Sequence, residues 1–164
     1  MCSKPASTSI TPEIHRTLAV GLFNLAWTHL ENPDRTPSDN VAMLNAAHAS
    51  RWHWSKVGSP TNAARGEWQV SRVYAVLLDA DGARRHGGES LEICRMNDLS
   101  AFDLSFALEA MARATHVAGE GDEVSEFQDQ GLQAAEQIED EQDRRWAIAN
   151  LRSLETPPVW EEHS

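Results

Sequence analysis

Two cysteines in 164 residues, Cys2 and Cys94, are too few and too far apart in character for a disulfide framework. Cys2 sits in the terminal segment and Cys94 inside a helical apolar pattern, so a reducing compartment is expected. Long apolar runs are missing as well. None approaches the roughly 20 residues that a membrane-spanning helix needs, and the first nine residues carry no apolar core of a signal peptide. A cytoplasmic location without membrane contact is the expectation. No segment alternates like a strand, which also removes the strand-loop-helix setting of a glycine-rich phosphate loop. Bases are scarce toward the C-terminus: residues 119–164 hold 13 of the 25 acids against Arg144, Arg145 and Arg152, a local balance of −10 in a chain of −11. Such a surface repels phosphate backbones, so no nucleic acid is expected as a partner. The acidity reads as a solvated outer face or as a docking face for a basic partner.

Helix punctuation is abundant. Thr11-Pro12, Thr36-Pro37 and Ser59-Pro60 each set a hydroxyl N-cap before a proline in the first helical position. Ser100-Ala-Phe-Asp103 adds a capping-box pattern. Gly58, Asp81-Gly82, Asn97-Asp98 and Gly119-Glu-Gly121 supply stops. Between them the apolar spacing is helical, with Ile14, Leu18, Leu22 and Leu25 as one stripe and Val124, Phe127, Ala134 and Ile138 as another. Segments 39–57 and 60–78 are apolar on two sides, as expected of helices sandwiched between neighbours. The pattern predicts an all-α chain with about seven helices near 12–30, 37–57, 60–78, 82–96, 101–118, 122–138 and 141–154. It sets one helical domain over 11–155, a flexible N-terminus over 1–10 and a tail over 156–164.

Two segments resemble each other 41 residues apart: Arg72-Val73-Tyr74-Ala75-Val76-Leu77 aligns with Arg113-Ala114-Thr115-His116-Val117-Ala118, each followed by a turn and a second amphipathic helix. With small residues at Ala75, Ala83, Ala107, Ala112 and Ala134, the chain resembles the tetratricopeptide-like superfamily of helical hairpins over about residues 60–138. The runs His48-Ala-Ser-Arg-Trp-His-Trp54, Arg65-Gly-Glu-Trp68 and Ser71-Arg-Val-Tyr74 are similar to a bacterial group of such proteins with no assigned activity. The resemblance implies antiparallel hairpins stacked into a right-handed superhelical array. It also implies a concave face, lined by the first helix of each hairpin, where ligands lie.

On that implied face Arg65, Trp68 and Arg72 share one helical side, Glu109, Arg113 and His116 share another, and His48, Arg51 and Trp52 form a comparable stripe. Arginine beside tryptophan suits an anionic or peptide ligand through paired hydrogen bonds and stacking. Plainer readings stand beside this one. Glu109 and Arg113 have the spacing of an intrahelical ion pair. Trp52, Trp54 and Trp68 suit packing between hairpins, and Arg72 in an apolar stretch calls for a buried carboxylate such as Glu67 or Glu109. His48, His53, Glu67, Arg72 and Glu109 could instead line an enclosed pocket of a small-molecule binder, metal protein or enzyme.

Chemistry finds less support. His48 and His53 lie five apart, which turns their side chains about 140° from each other on a helix, and no Glu-x-x-His spacing is present, so no metal or other cofactor is expected. Asp103 reads as a helix-start carboxylate and His53 as an interior or rim histidine. Cys94 in an apolar stripe reads as an inert thiol. Arg84, Arg85 and His86 read as a brief solvated basic cluster, and Asp79-Ala-Asp-Gly82 as a turn. The expected function is a non-catalytic interaction module that holds an unknown peptide or partner protein in a concave groove. A homodimer sealed by an exposed tryptophan such as Trp160 is a further option.

Overall fold

A computed structural model describes residues 9–154, so Cys2, Trp160 and nearly all of the two expected terminal segments lie outside the described residues. Seven α-helices and no strand occur among those residues: α1 Pro12–Glu31, α2 Pro37–Val57, α3 Pro60–Val76, α4 Ala80–Met96, α5 Ala101–Ala118, α6 Gly121–Ala135 and α7 Glu141–Arg152. None is long and apolar enough to cross a membrane. The hydroxyls of Thr11, Thr36, Ser59 and Ser100 each accept the backbone N–H three residues on, supplying partners to otherwise orphaned first-turn donors.

One of the expected stops differs. Asp81-Gly82 does not end a helix, because Asp79 caps α4 and Gly82 lies in its first turn. The reversal between α3 and α4 falls instead on Leu78, a non-glycine residue at φ 61°. Gly119 does close α5 in the left-handed conformation.

The helices form two layers. α1, α3, α5 and α7 touch one another in series, while α2, α4 and α6 each bridge two consecutive members of that inner row. A chain of aromatic rings runs along the inner row: Trp27 to Trp68 at 5.3 Å, Trp68 to Phe106 at 5.0 Å, and Phe106 to Trp146 at 4.5 Å between centroids. Such tilted and edge-on contacts add stabilisation beyond the area they bury. Ala26, Ala46, Ala47 and Ala110 of the same cluster allow the backbones to approach closely around these rings.

α1 buries a different face from the one its large residues suggest. Ala19, Ala26, Trp27 and Leu30 point inward, while Ile14, Leu18 and Leu25 remain 48%, 39% and 43% exposed. Residues 17–28 contain no charge, so periodicity alone does not select a side, and packing against α2 selects the small residues. α2 packs on both α1 and α3, but through one side only. Val41 and Trp52 are exposed, since the buried positions Met43, Ala46, Ala47, Ser50 and His53 lie on the opposite side.

Candidate functional site

The sequence pattern that aligns α3 with α5 places Trp68, Arg72, Glu109 and Arg113 on facing sides of two inner helices, and there they meet. Glu109, fully buried, accepts from the Trp68 indole Nε1 at 3.0 Å through Oε2 and from Arg72 Nη1 at 2.5 Å through Oε1. Arg113, one helical turn on, donates from Nε to the same Oε1. Its two terminal nitrogens donate to the carbonyls of Asn150, Ser153 and Leu154 at 2.7–3.2 Å, so this one side chain gathers the end of α7. Burial alone would raise the Glu109 carboxyl. Arg113, Arg72 and the indole bond outweigh it and hold the group below the usual carboxylate range. Arg72 is pushed down to about 10, by burial first, against the pull of Glu109 and with the repulsion of Arg113. Two guanidiniums against one carboxylate leave this buried group with a net positive charge. Arg72 also keeps its buried Nη2 without a hydrogen-bond partner among the described residues.

A second polar group sits between α2, α3 and α4. Glu67 accepts from Arg51 Nη1 at 2.7 Å and pairs with His86 Nδ1 at 2.6 Å. Tyr74 stacks on His86 with ring centroids 5.5 Å apart, and its hydroxyl bonds His48 Nε2 at 3.0 Å. Burial works to raise the Glu67 carboxyl, but the His86 bond and Arg51 carry it below its ordinary value. His48 is depressed by burial, then by His86 and Arg51.

The remaining residues lie elsewhere. Arg65 turns away from Arg72 and pairs with Asp103 at 2.6 Å, beside the Phe102 ring. His53 bonds His15 of α1 through Nδ1 at 2.8 Å, and Trp52 lies at the surface against His15 with the Lys56 ammonium over its ring. His48, His53, Glu67, Arg72 and Glu109 therefore belong to three different sets of partners rather than lining one enclosed pocket. The nine groove candidates divide likewise, and only Trp68, Arg72, Glu109 and Arg113 bond as one set. His116 is exposed and stands near them, at an opening.

That opening is a hollow of about 500 Å³ where α1, α3 and α5 end, with Arg72, Arg113 and His116 on its lining beside Arg35 and Glu31. Its apolar wall comes from Leu30, Ala75, Val76, Leu78 and Val117. A second hollow of about 270 Å³ is framed by Phe23, Trp27, Trp68, Phe102, Phe106 and Trp146, with the Arg65 to Asp103 pair on its lining. No family model, curated protein or solved structure matches the chain.

The described residues include no group of three or more His, Cys, Asp or Glu able to hold a metal ion. Cys94 is buried and its thiol is pushed up to about 12, by burial first and then by Asp103, which leaves essentially no thiolate near neutral pH. Sequence reasoning passed over Tyr74, Arg35 and His86. The reading of Arg84, Arg85 and His86 as one solvated cluster is corrected: His86 is buried on Glu67, and Arg84 reaches Glu120 and Glu123. A signal for His86 was present, because Ala83, Gly87, Ser90, Leu91 and Cys94 form a stripe of small and apolar residues that takes position 86 inward.

Proposed function

We propose that the chain is a non-catalytic interaction module, a short right-handed array of tetratricopeptide-like hairpins that holds a segment of a peptide or partner protein at the ends of α1, α3 and α5. The observation that carries this reading is the hollow of about 500 Å³, on whose lining Arg72, Arg113 and His116 come together. Its size suits a few side chains. The acids and bases behind it are engaged with each other, and the buried thiol is inert, so recognition is better supported than catalysis. His116 is exposed at this hollow, so His116→Trp fills the opening without touching the core. Peptides selected from a random display library on the folded chain should lose at least tenfold in affinity for His116→Trp, with an unchanged circular dichroism spectrum. Selected peptides that bind the variant equally well, or no enrichment at all, would refute the reading.

A second copy of the chain is a further partner favoured by the outer face of α1. Ile14, Leu18, Gly21 and Leu25 follow a 4-3-4 spacing, and Leu18 and Leu25 lie symmetrically about the middle of the helix, as a two-fold antiparallel pairing requires. Interface centres are poor in charge, as residues 17–28 are. Light scattering should show concentration-dependent dimerisation that Leu18→Glu abolishes; a monomer at all concentrations would exclude it.

A further inference from the structure

We infer that the hollow at the ends of α1, α3 and α5 is a carboxylate site that takes the free C-terminus of a peptide with apolar final residues. This assignment rests on the binding role proposed above and names the chemistry of the ligand. It starts from a charge imbalance in the buried network. Arg72 and Arg113 share the single carboxylate of Glu109, and both arginine side chains are almost wholly out of solvent. A buried cation ordinarily has its charge matched and its donors used, since an unsatisfied buried donor is costly, and more so when charged. Here Arg72 Nη2 is left over, on a residue that contributes to the floor of the hollow.

The surroundings sharpen the chemistry. Among the described residues, three arginines line the hollow against one acid, Glu31, in a chain whose overall charge is −11. The C-terminal ends of α1, α3 and α5 also converge here, and their carbonyls favour cations. Two of the arginines answer that preference. Arg35 donates to the carbonyls of His29, Leu30 and Asn32 at 2.8–3.1 Å, and Arg113 to those at the end of α7. Arg72 is the arginine on the lining that makes no bond to a helix end, and its Nη2 is a spare donor that is also buried. The excess of one positive charge in the group of Arg72, Arg113 and Glu109 matches a monoanion such as a carboxylate. A phosphate dianion would exceed that single charge. The wall of Leu30, Ala75, Val76, Leu78 and Val117 then receives aliphatic side chains next to that carboxylate.

The test uses the full chain and three probes: acetyl-Gly-Ala-Leu-Val with a free C-terminal carboxylate, the same peptide as its C-terminal amide, and hexanoate. Calorimetry gives affinity, and methyl NMR shifts of Ala75 and Val117 report the place. The free acid should bind at least tenfold more tightly than the amide and shift both methyl signals. His116→Trp should abolish the binding, and Arg72→Lys, which keeps the charge but removes Nη2, should reduce the acid to the level of the amide. Equal binding of acid and amide at these methyls would overturn the carboxylate assignment while leaving the peptide site standing. Hexanoate binding as tightly as the peptide would overturn the peptide C-terminus in favour of a small free carboxylate. No binding of any probe would overturn the assignment, and the peptide-display result then judges the binding role independently.

Discussion

Replacing Glu109 by glutamine removes one negative charge and one acceptor from a site where three buried donors converge. With its oxygen in the place of Oε1 the glutamine keeps an acceptor for both arginines, but its amide nitrogen, itself a donor, then faces the Trp68 indole N–H. Arg72 and Arg113 are then two buried cations with no counter-charge. Breaking one side of a buried ion pair costs about 3–5 kcal/mol, against a total of roughly 5–15 kcal/mol for an ordinary domain. At about 2–4 °C per kcal/mol for a chain of this size, the melting temperature should fall by roughly 6–20 °C. Urea titration followed by far-UV circular dichroism gives the free energy directly, and hydrogen exchange adds location. Because Arg113 carries the carbonyls at the end of α7, amides of Glu141–Arg152 should lose protection first. Arg145→Ala is the control. Its side chain and that of Glu141 are 67% and 68% exposed, so losing their pair should cost no more than about 1 kcal/mol. A Glu109→Gln loss as small as that of the control would show that the two arginines find other partners, and the account of the buried network would fail.

Four other outcomes follow from the geometry. A Cβ added at Gly82 would stand 2.5 Å from the Tyr74 ring, so Gly82→Ala should cost about 1–3 kcal/mol by overpacking; as Tyr74 is the sole tyrosine, its NMR signals should show whether the ring leaves His48. His48 is held below its unfolded value of 6.5, so the unfolded chain binds more protons there; stability should decline, with proton uptake on unfolding, as pH drops from 7 toward 5, and His48→Gln should flatten that slope. Glu67 and Glu109, both depressed, contribute stability above their unfolded value of 4.5 that is lost as pH falls through their folded values, so acid unfolding should be steep below about pH 4.5. In a Cys2→Ser background, Cys94 should react with a thiol reagent only at the rate of unfolding, and reaction as fast as free cysteine would contradict its burial.

Helix number and most boundaries were legible because capping residues act over three or four positions, and Thr11, Thr36, Ser59 and Ser100 need no tertiary context to do so. The side of α1 that faces inward was not, since the helix is apolar nearly all round and the partner decides which residues fit. For the candidate site, the 41-residue spacing pointed to Trp68, Arg72, Glu109 and Arg113 together, and these four side chains bond to one another. Whether those groups face a ligand or one another depends on a distance between helices, which no spacing along one helix contains. Arg65 illustrates the limit: it shares a helical face with Arg72, yet a carboxylate from the start of α5 draws it the other way. His48 and His86 found each other across 38 positions through Tyr74, a pairing that follows only from how α2 and α4 lie over α3.

The ring chain from Trp27 through Trp68 and Phe106 to Trp146 has a consequence for how the molecule comes apart. In most hairpin arrays each unit feels only its neighbours, so ends can melt while the middle persists. Here the first and last helices are joined by a continuous row of side chains threading every inner helix. Loss of an inner ring, Trp68 or Phe106, leaves a void between its two neighbours, so the seven helices should melt in a single step rather than fray from α7 inward. With Trp52, Trp54 and Trp160 replaced by phenylalanine, tryptophan emission reports on α1, α3 and α7 together and should then trace the same curve as helix content.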